Sequence, residues 1–257
     1  MKTIQLASDR LARETVYCAI LPGNYENSTV DFPVLYLLHG LSGRFDNWLT
    51  NTKIVEYAKD FPGVIVCADG GDNWYADAPH LPHHSYESYF FDELFPAVER
   101  NFKVGKNKSS RAIAGLSMGG YGAFKFAFRR PEMFCFAASM SGAFHAAEVC
   151  DDAENEIWRE IHPSVNNVFS DENVRAENNL FQIAEDFPAD KISELPFFYF
   201  DCGRKDVFLK VNRRLNKIFQ RRGIAHEFRQ FAGGHDWNYW DEHIVHILKL
   251  TAKKLLS

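Results

Sequence analysis

Long apolar runs, basic blocks and paired cysteines are all missing from this 257-residue chain. No apolar stretch approaches the ~18 residues that span a bilayer. The N-terminal MKTIQLASDRLARETV lacks the hydrophobic centre of a secretory leader. No membrane partner is therefore expected. Net charge is −5, and no basic block stands out, which argues against nucleic acid and anionic lipid as partners. The five cysteines, Cys18, Cys67, Cys135, Cys150 and Cys202, are scattered, odd in number and without a CxxC pair. A disulfide framework or zinc site is not expected, and a reducing, cytoplasmic setting fits best. Internal repeats and low-complexity segments are also missing.

What the chain does have is core. Hydrophobic residues make up 46% and charged residues 25%, with 23 phenylalanines. That composition and length suit one large α/β domain. Strand-like runs fall at 15–21, 34–39, 64–69, 111–116, 134–140, 197–202 and 226–231. Several are apolar throughout, as expected of strands covered on both faces of a parallel sheet. Helix-like stretches fall at about 52–60, 86–102, 118–129, 207–222 and 237–256. In the fourth, Phe208, Val211, Leu215, Ile218 and Phe219 share one face and Gly223 follows as a stop. This alternation predicts a doubly wound sheet whose site lies beyond the carboxyl ends of the strands. Residues 143–195 break the alternation. They are polar, with patchy helical signal around 151–161 and 175–186. They read as a small cap over a single domain of residues 1–257.

One stretch concentrates the chemistry. RAIAGLSMGGYGAF, residues 111–124, crowds Gly115, Gly119, Gly120 and Gly122 around Ser117. Gly115-Leu-Ser117-Met-Gly119 fits G-x-S-x-G between a strand and a helix, the arrangement that projects a serine hydroxyl above a sheet. A phosphate loop would need GxxxxGK[ST], and a dinucleotide fingerprint a third glycine. The plain alternative is a tight turn with glycines for packing. A hydroxyl needs a base, and on this fold the order is serine, acid, histidine. His235, in FAGGHDW after the last strand-like run, is the candidate base; a loop histidine capping the last helix is the alternative. For the acid, FYFDCGRKD offers Asp206 in the loop and Asp201 at the strand end. Asp206 is favoured because a loop carboxylate reaches across more readily, although it would also suit a helix cap. Oxyanion donors would be the backbone N–H groups of Met118 and of Leu41, the latter in LYLLHGLSG, where Gly40 permits close approach to substrate. His39 reads as a buttress of that loop.

Taken in order, HGLSG, GLSMGG, CGRKD and GGHDW make the chain resemble the esterase D family of α/β-hydrolases, over residues 30–250. That family includes tributyrin-type carboxylesterases, feruloyl and acetyl-xylan esterases, S-formylglutathione hydrolases and mycolyltransferases. The resemblance implies a mostly parallel eight-stranded sheet with helices on both faces. It also implies ester hydrolysis through an acyl-enzyme without cofactor or metal, and a Ser117–His235–Asp206 triad with Leu41 and Met118 amides as oxyanion hole. LLHGLSG replaces the Leu-Ser-Gly-Leu-Thr-Cys stretch of S-formylglutathione hydrolases, so a glutathione thioester is the less favoured substrate. Acyl transfer to an alcohol and a non-enzymatic binding module are the other rivals. Expected substrates are short-chain acyl or aryl esters, including esters on sugars. Trp48, Trp74, Tyr75 and Trp237 are candidates for lining the pocket, against surface-loop packing as the alternative. His80, His83 and His84 lack a carboxylate or cysteine at ligand spacing, so no metal is expected there. The sequence leaves a homo-oligomer open.

Overall fold

A computed structural model of the chain describes residues 1–148 and 156–256. Its centre is one eight-stranded sheet in the order β1-β2-β4-β3-β5-β6-β7-β8. The strands are β1 (Lys2–Ser8), β2 (Arg13–Ile20), β3 (Val34–Leu38), β4 (Val64–Ala68), β5 (Arg111–Leu116), β6 (Phe136–Met140), β7 (Phe197–Gly203) and β8 (His226–Phe231). β1 pairs antiparallel with β2, and β2 with β4; from β4 to β8 every pairing is parallel. This is the α/β-hydrolase fold. Cys18 faces Cys67 across the β2–β4 pair, and the four described cysteines are free; Cys150 lies outside the described residues.

The sheet is buried on both faces, and the period-two side-chain alternation divides the core. Val34, Tyr36, Leu38, Val64, Val66 and Ile113 point to one face; Leu35, Leu37, Ile65, Cys67, Ala112 and Ala114 point to the other. Helices α1 (Asn47–Asn51), α2 (Ile54–Tyr57), α3 (Tyr86–Ser88), α4 (Phe95–Asn101) and α5 (Met118–Arg129) follow the early strands. Then come α6 (Glu156–Phe169), α7 (Glu172–Asn178), α8 (Leu180–Asp186), α9 (Leu209–Arg222) and α10 (Trp237–Leu255). The first face packs against α4, α5 and α9 through Phe95, Phe124, Phe126, Leu215 and Phe219. The second packs against α2 and α10 through Ile54, Ile244 and Ile247. Among the described residues, no helix is long and apolar enough to cross a membrane.

β1 has no counterpart among the strand-like runs, and two helices also differ from the sequence expectation. The helix expected over 86–102 contains a π-helical stretch, Tyr89–Leu94, between α3 and α4. The one expected over 52–60 is the short helix α2 running into a 3-10 turn, Ala58–Asp60, and α1 before it, ended by the extended backbone of Thr52, falls outside the expected stretches. The segment between β6 and β7 holds α6, α7 and α8; the helical signal at 151–155 falls outside the described residues.

Candidate active site

Ser117 ends β5 and opens α5 at φ 51°, ψ −116°, a conformation that costs an L-residue ~1–3 kcal/mol. The surrounding glycines make it possible. A Cβ at Gly115 would lie 2.3 Å from the carbonyl of Gly119, and a Cβ at Gly119 would lie 2.5 Å from His39 O and 2.6 Å from Leu38 O. The strand and helix can therefore converge beneath the serine. Its amide is held by Met140 O at 2.9 Å, and its hydroxyl faces the N-terminus of α5, where the dipole favours negative charge.

Ser117 Oγ stands 3.0 Å from His235 Nε2. His235 Nδ1 stands 3.2 and 3.1 Å from Asp206 Oδ1 and Oδ2. A carboxylate only accepts hydrogen bonds, so Nδ1 carries the proton and Nε2 is free to accept from the serine. Gly233, at φ 125°, gives the loop after β8 the turn that brings the imidazole back over the sheet. Phe208 and Trp240 set their rings edge-on against His235 at 4.8 and 5.0 Å between centroids, which fixes its plane.

Asp206 is buried. Burial by itself would raise its carboxyl, but hydrogen bonds from His235, Ser141 and the Phe208 amide outweigh that and hold it below the ordinary carboxylate range. Its Oδ1 accepts the Phe208 N–H at 2.7 Å, so the turn into α9 is capped by the same oxygen that meets the histidine. Asp201 is placed elsewhere. It is fully buried and accepts Tyr239 Oη–H at 2.7 Å. Burial is the main cause that pushes its carboxyl up to about 7. Ser141, which sequence reasoning missed, connects the two acids. Its amide donates to Asp201 O at 2.8 Å, and its hydroxyl reaches the Asp206 carboxylate and accepts Trp240 Nε1–H at 3.3 Å.

Gly40 and Leu41 line the same pocket as Ser117, and Met118 begins α5 immediately after it. A Cβ on Gly40 would lie 2.6 Å from Leu116 Cδ1 and 3.5 Å from Ser117 Cβ, so the loop after β3 lies directly against the serine. His39 holds that loop: Nε2 accepts the Gly70 N–H at 2.8 Å, and Nδ1 donates to Gly40 O at 2.7 Å.

A pocket of about 590 Å³ opens over these groups. Gly40, Leu41, Trp74 and Trp237 line it together with Ser117 and His235. Two residues expected at the pocket are not in its wall. Trp48 is fully buried on the opposite core face, with Nε1–H on Leu38 O at 3.1 Å. Tyr75 is fully buried, with Oη–H on His39 O at 2.8 Å, so it acts behind the wall rather than in it. Val207, Phe208 and Trp240 are lining residues missed in the sequence; Trp240, one turn into the helix after His235, offered a readable signal. Among the loop histidines, His80 Nε2 bonds to Asn167 O at 2.9 Å, tying the loop to α6. Among the described residues, no group of three or more potential ligand side chains could hold a metal ion.

Comparisons with known proteins place this geometry. The Esterase family model matches residues 8–251. The acetyl esterase of Caldicellulosiruptor saccharolyticus is 25% identical over 262 residues, covering 97% of each chain. A ferulic acid esterase structure superposes with a TM-score of 0.83 at 27% identity, over 98% of both chains. The S-formylglutathione hydrolase FrmB of Staphylococcus aureus shares the fold, with a TM-score of 0.81 at 23% identity over 98% of both chains.

Proposed function

The chain belongs to the Esterase family and is a serine ester hydrolase, and we propose that it cleaves short-chain acyl or aryl esters, including esters on sugars, through an acyl-enzyme on Ser117. Ser117 Oγ attacks the ester carbonyl carbon while its proton passes to His235 Nε2. Asp206 holds Nδ1–H and steadies the imidazolium without taking the proton. The carbonyl oxygen becomes an oxyanion against the amides of Leu41 and Met118. His235 then gives its proton to the departing alkoxide, which leaves as the alcohol. Water, deprotonated by His235, attacks the acyl-serine, releasing the carboxylic acid and restoring the hydroxyl. The observation that carries this reading is the unbroken hydrogen-bond path from Ser117 through His235 to Asp206, opening on the 590 Å³ pocket.

Pocket chemistry supports the substrate class. Trp74, Trp237 and Phe208 supply apolar walls suited to an acyl or aromatic group, and the similarity to an acetyl esterase and a ferulic acid esterase agrees with it. Among the described residues the four cysteines are free, which supports a reducing, cytoplasmic setting. Treatment with a fluorophosphonate probe tests the nucleophile: labelling of the native chain and none of Ser117→Ala is the expected result. Labelling at another serine would overturn the assignment. Product analysis with excess alcohol distinguishes hydrolysis, which yields free acid, from acyl transfer, which yields a new ester.

A further inference from the structure

A second cleft, of about 570 Å³, lies away from the catalytic pocket between α8 and α9. That is within the size of ordinary ligand sites, ~300–1,000 Å³. One wall is α9, LKVNRRLNKIFQRR, in which Lys210, Arg213, Arg214, Lys217, Arg221 and Arg222 stand without a single acid. The whole chain is negative, at −5, so the excess is local to this helix. The first five of these cations line the cleft, against the two carboxylates Glu148 and Glu185. Arg214 is bonded to Glu148 through both terminal nitrogens, at 2.5 and 2.9 Å, and Arg221 pairs with Glu185. Arg213 Nε and Nη2 lie 2.9 and 2.6 Å from the neutral Gln230 Oε1. Among the described lining residues, five cations against two carboxylates leave an excess of three positive charges.

Helix physics does not account for these cations. Like charges three and four positions apart repel and weaken a helix. The macrodipole favours Arg221 and Arg222 in the last turn, but it opposes Lys210 in the first. The shape of the charge identifies the ligand. The cations recur about every helical turn, ~5.4 Å, as a ladder rather than a cup, which suits an extended polyanion. Phe181 is buried beneath the Arg214 guanidinium, 3.8 Å from it, and so presents no open ring for a base to stack on. That disfavours single-stranded nucleic acid. The ladder also follows the catalytic pocket in the chain: Val207 and Phe208 line the pocket around Ser117, and Lys210 comes two positions after Phe208.

We propose that the α8–α9 cleft is a subsite for the carboxylate-bearing chain of an acidic oligosaccharide whose ester is presented to Ser117. The proposal rests on the ester hydrolysis set out above, and its test separates the two. Binding of an oligogalacturonate and of a neutral xylo-oligosaccharide of equal length is measured by titration calorimetry at low and high salt. p-Nitrophenyl acetate turnover is measured in parallel. The oligogalacturonate binds and weakens with salt, while the neutral chain does not bind. The triple variant Lys210→Glu, Arg213→Glu, Lys217→Glu loses about tenfold or more in affinity, as three surface ion pairs together would give, with turnover unchanged. The neutralising Lys210→Gln, Lys217→Gln variant loses less, which sets charge apart from damage to the fold. Equal binding by the neutral chain, undiminished binding by the triple variant, or equally tight binding of a single-stranded DNA oligomer would each overturn the subsite. Failed turnover with oligogalacturonate binding intact would strike the esterase reading alone.

Discussion

Replacing Asp201 by asparagine separates the two carboxyls near the histidine and has a worked magnitude. Asp201 is fully buried, and its carboxyl is pushed from the ordinary 3.8 to about 7, first by burial and also by the charge of Asp206, against the hydrogen bond from Tyr239. Each pH unit between the folded and unfolded values corresponds to ~1.4 kcal/mol, so ionising Asp201 in the fold costs about 4 kcal/mol more than in the unfolded chain. The sign follows from proton counting. Below about pH 4 the group is protonated in both states and contributes nothing. Between pH 4 and 7 the unfolded chain releases its proton while the folded chain keeps it, so stability falls as pH rises. Above pH 7 the whole cost is present. The asparagine amide keeps an acceptor oxygen for Tyr239 and cannot ionise. Asp201→Asn therefore gains about 4 kcal/mol at pH 8 relative to its change at pH 4, and it retains esterase turnover because His235 does not bond to position 201. Urea unfolding of both proteins from pH 4 to 9, with p-nitrophenyl acetate assays alongside, measures this. Parallel stability curves would refute the buried-carboxyl argument, and lost turnover in a folded variant would refute the choice of Asp206 over Asp201.

Asp206→Asn leaves the Phe208 cap an acceptor but removes the charge facing His235 Nδ1, so kcat falls by about 10⁴ with the fold retained; steady-state kinetics and circular dichroism check it. The same substitution removes a carboxyl held below its ordinary value, whose stability contribution is present above pH ~4 and lost as pH falls through the lower folded value; acid unfolding of the variant is correspondingly less steep. Ser141→Ala removes a hydroxyl that helps hold the Asp206 carboxyl low and orphans Trp240 Nε1. The expected kinetic result is a lower kcat with KM held, because Ser141 does not line the pocket. Gly119→Ala drives a Cβ to 2.5 Å from His39 O, and overpacking of this kind costs about 1–3 kcal/mol. Thermal melting and turnover should both decline, and an unchanged melt would refute the steric account of the glycines.

Which parts of this molecule the chain disclosed follows from how local their causes are. β5 at 111–116 and β8 at 226–231 coincide with their strand-like runs, the first apolar after Arg111 and the second mixed, because the pattern and the fold make the same demand. β1 escapes a sequence reading, since an edge strand with the burial alternation of Lys2–Ser8 is mostly exposed and shows no apolar run. Ser117 and His235 are legible because the first follows a strand directly and the second follows two glycines, and Asp206 because it lies in the loop after β7 at its place in the order serine, acid, histidine. Trp48 and Tyr75 are misplaced as pocket residues because a tryptophan or tyrosine in a loop looks the same whether it meets substrate or donates inward to a carbonyl. Ser141 leaves no signal, because a serine after a strand becomes informative only when Asp206 and Trp240 converge on it.

Backbone strain carries the same lesson further. Non-glycine residues with positive φ include Ser42, Trp74, Tyr75, Ser117 and Ser141. Ser42, Trp74 and Ser117 line the pocket, Tyr75 bonds to the carbonyl before Gly40, and Ser141 reaches the acid. Each such residue costs ~1–3 kcal/mol, so independent contacts must hold it. Tyr75 is gripped at both ends: its hydroxyl donates to His39 O, and its carbonyl accepts the buried ammonium of Lys125 at 2.6 Å. Lys125 also pairs with Glu87 at 2.8 Å and donates to Asn178 Oδ1 at 3.0 Å, which joins the cap segment to the pocket wall. Glycine at position 75 would relieve the local strain and release the His39 carbonyl at the same stroke. The more relaxed loop would then be the one that no longer fixes Gly40 and Leu41 against the serine, and for that reason strain and site coincide here.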